Sequence, residues 1–557
     1  MALAAGAQMD TNAPAAPADT NAVPAPAAVT NTVPVPVATN ALTASAPINP
    51  AAAPMAANTA AAPAYPAAVP SETTTNGHAM SLQDCIQEAL QHNLDVQIER
   101  YQPQISGYNV RAAYGGYDPT FNFSGQRIYN NQGASFQGGQ VSTPSVTTEN
   151  SFSSSLSGGT PWGMTYNLGG NGPGSPANIF ESYGQISLGA VSTNFDNSSG
   201  EVGLYLTQPL LKNFWIDQTR LSIRLAKNQL KSDEQGLRLQ IINSVTAVEN
   251  AYYELIYAQE NVKVQEEALN LAQTQLDQDN QRVQIGTLAI LDVQQDEAQV
   301  AQSQANLIAA QYTLVTDQNA LKNLLADTNY LSWHDTDIQP TATLAAPPQS
   351  FNLQESWRRG MTKRPDLIQE QLLVERQGIQ LKFDHNQLYP EIDLIGSYGF
   401  NGSGQEYSDV FSQINQGNRP FYSAGAQLTM PLSNQGPRNQ YKADKVTLQQ
   451  LLLKLKQFEQ NVLVDIDNAV KNAQSAYQSV AATRQARIYA EAALDAEQKK
   501  YAVGKSTTFT VLQLQNTLTS DRGQEIRALA NYNEALANLA QQEGTTLERN
   551  RIDLMVK

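Results

Sequence analysis

The sequence predicts an α+β membrane protein built as a duplicated half-repeat, with long coiled-coil helices and β-strands that contribute to a shared transmembrane β-barrel. Three observations indicate this fold: residues 82–125 align with 353–396 at a constant offset, two very long stretches lack helix breakers, and several segments alternate polar with apolar residues. The repeat is far longer than a solenoid unit of about 20–50 residues. Each half therefore reads helix, strand, strand, very long helix, turn, helix.

Residues 1–79 are expected to form a disordered leader that is rich in Ala and Pro. They carry almost no charge and one aromatic residue, Tyr65, so they cannot bury enough apolar surface to offset the entropy lost on ordering. The opening MALAAGAQMD lacks the basic and long apolar regions of a signal peptide, although Ala2-Leu3-Ala4 resembles a cleavage-site remnant. This start indicates either a mature or truncated chain, or a misplaced start.

Two long helices are expected over residues 212–285, where only Gly236 interrupts, and 438–503, which contain neither Gly nor Pro. At about 1.5 Å per residue each would extend roughly 100 Å, a length typical of coiled coils. Apolar residues recur in both at alternating steps of four and three, the knobs-into-holes period. The first seam comprises Ile241, Val245, Val248, Tyr252, Leu255, Val262 and Leu269, and the second comprises Leu448, Leu452, Leu455, Val462, Ile466, Ala469, Ala473, Ala476 and Val480.

Shorter helices are expected on either side of the long ones. One amphipathic helix opens each half, and one partner helix follows the turn after each long helix. Their expected ranges are 81–117, 287–327, 352–389 and 505–543.

The strands are expected where apolar and polar residues alternate, notably at 202–206, 392–400 and 423–430 and around Phe121 and Phe123. Such segments are the weak signature of a transmembrane β-barrel, and the alternative is an ordinary amphipathic sheet packed on its own core.

The two halves differ between their strands. Residues 401–420 form a short link in the second half, whereas 129–200 form a long one in the first, rich in Gly, Ser and Asn. Within it, residues 152–170 read as a hairpin around 159–163. This hairpin is either an extracellular flap or a pair of extra barrel strands, and we favour extra strands.

The predicted strands are too few to close on themselves. The smallest membrane barrels need about eight strands, whereas one chain supplies four, or six with the extra hairpin. Lipid does not tolerate an open sheet edge, because every backbone N–H and C=O must be paired there. If these strands span a membrane, several chains must share one barrel.

Composition excludes several classes of function. The net charge of −16 argues against nucleic-acid binding, which needs a basic surface. Cys85 is the only cysteine, so no internal disulfide or thiolate metal cluster is expected. The sequence contains no stretch of 18 apolar residues, so no transmembrane helix is expected.

No enzyme is expected either, because the sequence offers no catalytic constellation and no metal or cofactor site. The histidines His78, His92, His334 and His385 lack the spacing of metal ligands.

The motifs resemble those of the outer-membrane factors, the TolC-like family of trimeric efflux and type I secretion channels. The similarity covers about residues 80–550. It rests on the repeated order, on L-T-x-P-L at 206–210 and 428–432, and on V/I-G-x-x-x-x-x-V at 285–293 and 503–511. The segment LYPEIDLIGSYGF at 388–400 also looks like this family.

This resemblance implies a homotrimer in the outer membrane of a Gram-negative-type bacterium. Three chains would contribute four strands each to a twelve-stranded barrel, and the helices would form a periplasmic α-barrel closed at its tip. An extra hairpin would enlarge that barrel. The structural repeats would be 80–325 and 352–543, with a linker and equatorial region at 326–351 and a C-terminal equatorial tail at 544–557.

The resemblance also implies function and partners. The protein would conduct small molecules or secreted polypeptides from a periplasmic adaptor (membrane fusion) protein and an inner-membrane transporter to the outside. That transporter would be either proton-driven or ATP-driven. Beyond outer-membrane lipid, no further partner is implied.

Several site residues follow from the family motifs. The strand–helix joints correspond to Pro209 and Pro431, and an Asp292–Tyr501 pair would lock the closed tip. The adaptor-docking turns correspond to Ile285, Gly286, Thr287, Leu288, Val503 and Gly504.

The second turn departs from the family pattern. Where the family carries an Arg in the lock, this chain has Ser506 beside Lys505. Where better-studied members carry two Asp residues of a cation-binding ring, it has Thr510 and Gln513. The lock is therefore expected to be weaker or to use Lys505, and the tip to be less cation-selective.

Two other functions compete with the channel. A non-channel structural or adaptor coiled coil of the cell envelope would fold its alternating segments onto its own helices, and an adhesin-like fibre would account for the leader. The paired L-T-x-P-L joints and the duplicated order argue against both.

Overall fold

The computed structural model describes residues 77–137, 140–170, 174–188, 191–325 and 337–552. The leader up to residue 76, residues 326–336 of the predicted linker with His334, and the last five residues of the predicted tail lie outside the described residues. No helix in the described ranges combines the length and apolarity needed to cross a membrane.

The helices of the two halves correspond closely in length. The first half contains α1 (Leu82–His92), α2 (Leu94–Tyr114), α3 (Gln218–Gln284) and α4 (Ile290–Leu325), and the second contains α5 (Leu353–Lys363), α6 (Pro365–Asn386), α7 (Tyr407–Gln416), α8 (Gln435–Ala502), α9 (Thr508–Glu543) and α10 (Thr546–Arg549). The long helices α3 and α8 have 67 and 68 residues, and their partners α4 and α9 have 36 each.

The opening helix of each half is broken in two, which corrects the single helices expected over 81–117 and 352–389. The break in the first half lies at Asn93, whose extended backbone lets its side chain cap α2 through the Val96 N–H. The break in the second half lies at Arg364, because Pro365 forces the residue before it into an extended conformation.

The seam of α3 is buried as its spacing predicts, since Ile241, Val245, Val248, Tyr252, Leu255 and Val262 are each at most 9% exposed. The seam of α8 is buried only in part. Val462 and Ile466 are fully buried, whereas Leu452 near the start of the helix is 43% exposed. The difference agrees with the packing: both α2 and α6 bond the first part of α3, at Asp233 and Ser232, whereas the first part of α8 bonds α6 at Asp444.

The strands form one large antiparallel sheet and two small pairs. The strands are β1 (Gly77–Met80), β2 (Thr120–Gln132), β3 (Ser135–Gln137), β4 (Gln140–Ser142), β5 (Ser145–Gly159), β6 (Thr165–Gly169), β7 (Ala177–Leu188), β8 (Val191–Pro209), β9 (Asp337–Pro340), β10 (Glu391–Gly404) and β11 (Pro420–Thr429). The large sheet has the order β2, β5, then β6 and β7, then β8, β10 and β11. β2 and β11 are its edges among the described strands.

Strand β1 pairs in parallel with β9 beside the buried part of α3. The Tyr252 hydroxyl donates to the Met80 carbonyl (3.1 Å) and accepts from the Ala342 N–H (3.3 Å). Residues 77–79, which we had assigned to the leader, therefore belong to this region because β9 pairs with their backbone.

The joints between strands and long helices contain the two predicted prolines. Pro209 ends β8, and Pro431 follows β11. Each joint then turns through an asparagine with left-handed backbone, Asn213 (φ 65°) or Asn434 (φ 44°), a conformation that Asn tolerates better than most residues. These turns delay the start of α3 to Gln218, six residues later than the sequence indicates.

Candidate gate at the helix turns

The turns that end α3 and α8 have the same hydrogen-bonded geometry. Gly286 (φ 77°) and Gly504 (φ 73°) occupy the left-handed position after each helix. The Gly286 N–H bonds the Val283 carbonyl and the Thr287 N–H bonds the Arg282 carbonyl, both at 2.9 Å. The Gly504 and Lys505 N–H groups bond the carbonyls of the equivalent residues, so both turns are Schellman motifs.

Both turns expose apolar side chains. Ile285 is 74% exposed and Val503 is 67% exposed, and both stand immediately before their glycines. Ile290 and Phe509, near the starts of the returning helices, are similarly exposed, whereas Leu288 is half-buried. Exposed apolar groups clustered at one end of a structure are typical of a surface that contacts another protein.

A buried tyrosine joins the two helix pairs behind these turns. The Tyr501 hydroxyl, on α8, donates to the Asp279 carboxylate on α3, with both oxygens 2.7 Å away. It also lies 2.9 Å from the Thr508 hydroxyl on α9. The Arg282 guanidinium covers the Tyr501 ring at 4.3 Å and lies 3.6 Å from the Asp279 carboxylate.

A second buried carboxyl lies against this cluster. Asp296, on α4, is 1% exposed, and neither of its oxygens finds a hydrogen-bond donor among the described residues. Burial, reinforced by the carboxyls of Asp279 and Asp292, raises the pKa of Asp296 to about 7. A proton shared by the two buried carboxyls would give Asp296 its missing partner.

The structure corrects the predicted partner of Tyr501. No hydrogen bond joins Tyr501 to Asp292 within the described part of the chain. Asp292 lies in the first turn of α4, half-buried, and Asp279 takes its place two helical turns before Gly286. The long helices α3 and α8 meet at a register that brings Asp279 opposite the tyrosine.

The other predicted gate residues lie at or near the second turn. The Ser506 hydroxyl donates to Glu497 at 2.6 Å, and Glu497 also receives the Lys500 ammonium at 2.7 Å. The Thr510 N–H bonds the Thr507 side chain, which caps α9. Lys505 is exposed beside them.

Gln513 lines a groove between α4 and α9. One helical turn further along, two amide side chains bridge this groove. The Gln299 and Asn516 side chains donate to each other at 2.8 and 3.1 Å.

Asp279, Arg282 and Thr508 were not predicted. The sequence did contain a signal for Asp279, because Ala272, Gln275 and Asp279 continue the buried α3 seam in steps of three and four. A carboxylate at a seam position must find donors, and Gln275 supplies one at 2.8 Å.

The cluster consists of hydrogen bonds between helices, and each such bond contributes only modestly to stability. No group of His, Cys, Asp and Glu that could hold a metal occurs in the described ranges.

Comparison with known proteins identifies the family. The family described as "Outer membrane efflux protein" matches residues 181–327 and 361–545, more than half of the chain. The chain belongs to this family, and its function is that of an outer-membrane efflux channel. The resemblance seen in the joints and glycine turns is thereby confirmed.

Individual relatives agree. The chain is 24% identical over 336 residues to the outer membrane efflux protein BepC of Brucella suis biovar 1 (strain 1330), covering 60% of this chain and 70% of BepC. It is 26% identical over 331 residues to the outer membrane protein TolC of Escherichia coli (strain K12), covering 58% of this chain and 64% of TolC.

The fold matches that of a solved outer-membrane protein, VceC of Vibrio cholerae. The TM-score is 0.59 at 17% identity, over 83% of this chain and 96% of VceC.

Proposed function

We propose that the protein acts as a homotrimer, a passive duct whose shared barrel crosses the outer membrane and whose helices enclose a periplasmic passage. An inner-membrane transporter would supply the energy, and a periplasmic adaptor would open the tip. The duct performs no chemistry on its cargo of small molecules or polypeptides. The duplicated halves are the basis of this architecture, which the equal lengths of α4 and α9 support.

The observation that carries the proposal is the open sheet with its exposed apolar face. Its edges, β2 and β11, have no outer neighbour among the described strands. Phe121 and Phe123 on β2 are each 67% exposed, and Tyr422 on β11 is 83% exposed. Lipid can cover these side chains, and a neighbouring copy can pair the edges, which would remove every unpaired backbone group.

The helices support the same assembly. α2 carries an exposed apolar stripe in alternating steps of four and three, the spacing of a coiled-coil seam. Its members, between 46% and 65% exposed, are Leu94, Ile98, Tyr101, Ile105 and Tyr108. At the opposite flank of the helical layer, α8 exposes Val446 and Leu453. α2 leads into β2 and α8 follows β11, so one neighbour could complete the sheet and the helices together.

The cluster around Tyr501 would then act as the gate. It holds α3, α8 and α9 together at the end where both helix pairs turn. An adaptor that packs against the exposed apolar turn residues would pull the pairs apart and break these bonds. Asp292 and Lys505, which lie near this end, would contribute at contacts between copies.

Membrane fractionation and conductance test the duct. We expect heat-sensitive trimers in the detergent-extracted outer-membrane fraction, and small conductance steps after reconstitution in planar bilayers. Equivalent membranes from cells lacking the protein provide the control. A monomer recovered from the periplasm without detergent would instead support the structural coiled coil and refute the duct.

A further inference from the structure

We infer that residues 145–188 add two strands to the barrel wall, so that each chain contributes six strands and the trimer forms a pore wider than its family resemblance implies. This inference rests on the proposed shared barrel. It assigns the extra hairpin to the barrel wall and not to an extracellular flap.

The first step is that β6 and β7 share one strand position. β5 pairs with β6 from Gly159 opposite Thr165 to Leu156 opposite Leu168, and then with β7 from Ser154 opposite Ala177 onward. β8 pairs with both on their other side, first with β6 and then with β7. The two segments therefore fill successive stretches of a single strand position between β5 and β8.

The second step is an apolar row that crosses the whole sheet at one level. Consecutive cross-strand partners along it are Phe121, Leu156, Leu168, Leu204, Tyr398 and Tyr422. Five of the six are at least 40% exposed, and Leu156 is half-buried. Two of the six belong to the inserted strands, so the insert continues the apolar face without a gap.

The third step is the neighbouring row, which lies on the opposite face because side chains alternate along a strand. Its members are Thr120, Ser157, Asn167, Tyr205, Ser397 and Ser423. Five of the six are Thr, Ser or Asn and the sixth is Tyr205, and the Ser397 and Ser423 hydroxyls lie 2.7 Å apart. A sheet with one apolar face and one polar face has the pattern of a membrane barrel wall.

The inserted strands also pair as closely as the others. At Gly184 in β7, a Cβ atom would collide with the Val146 carbonyl of β5. Between β8 and β10, nearer the helical end of the sheet, a Cβ on Gly203 would lie 2.7 Å from the Phe421 ring. A flap outside the membrane would not need a continuous register or such close contact with its neighbours.

The consequence is a wider mouth. Three copies of six strand positions make a wall of about eighteen strands, and barrel diameter grows roughly in proportion to strand number. The pore would be about 1.5 times as wide as a twelve-stranded one by that proportion. The narrowest point for cargo would then be the gate at the helix turns.

Labels at adjacent residues test the location of the insert. Leu156→Cys and Ser157→Cys, in the full chain reconstituted into liposomes, would carry a fluorophore on the apolar and polar rows respectively. We expect lipid-attached nitroxide to quench the Leu156→Cys label several-fold more than the Ser157→Cys label, and aqueous iodide to do the reverse. Phe152→Cys and Ser153→Cys repeat the comparison on β5 if either variant fails to assemble.

The matched controls are Leu204→Cys and Tyr205→Cys on β8, which spans the membrane whether or not the insert does. If the β8 labels show the contrast and the β5 labels are both quenched by iodide alone, the insert is a flap and the inference fails while the duct stands. If neither strand shows the contrast, the shared barrel itself is refuted. Contrast on both strands supports the six-stranded wall.

Discussion

At the scale of single residues, the proposed gate centres on one buried hydroxyl. Tyr501 is 7% exposed and donates to the buried Asp279 carboxylate, which also accepts from Gln275. Removing a donor from a buried carboxylate costs about 1–3 kcal/mol, because the carboxylate loses its hydrogen bond without regaining water. This energy is comparable to the few kcal/mol that typically separate two conformations of a protein.

We predict that Tyr501→Phe raises single-channel conductance in planar bilayers by weakening the closed state. Tyr489→Phe is the matched control, since Tyr489 lies on the same helix and is 68% exposed. The same assay separates the observed partner from the one expected at first: Asp279→Asn should raise conductance more than Asp292→Asn. Equal conductance of Tyr501→Phe and wild type would remove the tyrosine from the gate.

We predict that the closed state weakens as pH rises through about 7. The folded pKa of Asp296 lies above its unfolded value, so the folded tip binds the extra proton between about pH 4 and 7 and loses that advantage on deprotonation. Above this range the Asp296 carboxylate faces the carboxyl of Asp279, with Arg282 as the nearby cation and Asp292 as a further acidic group. Conductance should therefore increase from pH 5 to pH 8.

Asp296→Asn should flatten this pH profile, because an amide does not titrate. Asp495→Asn provides the control, since Asp495 on α8 is exposed and pairs with Lys499. A pH profile that Asp296→Asn leaves unaltered would contradict the shared proton.

At the scale of elements, the two glycine turns determine how each long helix reverses. A Cβ atom at Gly286 or Gly504 would meet nothing within 4 Å, so the only obstacle to another residue is the left-handed backbone. That conformation costs a residue with a Cβ atom roughly 1–2 kcal/mol.

We predict that Gly286→Ala and Gly504→Ala each lower thermal stability, measured by circular dichroism, whereas Asn at either position costs less. Gly523→Ala, inside α9, should have the opposite sign, because its Cβ atom would make only an ordinary contact with Asn261 at 3.9 Å and Ala favours a helix by about 1 kcal/mol over Gly. Destabilisation by all three substitutions would show that helix packing, and not backbone conformation, governs these positions.

The helices also show which parts of the structure the sequence could predict. The absence of Gly and Pro over 438–503 predicted α8 to within three residues at either end, because helix breakers are local signals. Helix α7 was missed inside the 401–420 link, although the Glu406–Asp409 capping box and Gly417 mark its two ends. The Tyr501–Asp279 pair was missed because it depends on the register between two long helices, which no local pattern encodes.

At the scale of the whole molecule, the proposed trimer would bury the exposed α2 stripe between copies. We predict that Ile98→Glu reduces the fraction of heat-sensitive trimer on semi-native gels, because assembly would bury an unpaired charge. Gln91→Glu adds the same charge at an exposed position of α1, away from the stripe, and should leave the trimer intact. An undiminished trimer in Ile98→Glu would show that α2 faces solvent in the assembly.

The pair of open sheet edges has a further consequence for the cell that makes this protein. In the proposed trimer, a copy damaged at β2 or β11 would still offer one sound edge, so it would join two healthy copies and leave their ring unsealed. Intact pores would then decline as the cube of the fraction of sound chains. A partial defect in synthesis or in quality control would therefore reduce export by more than the fraction of defective chains.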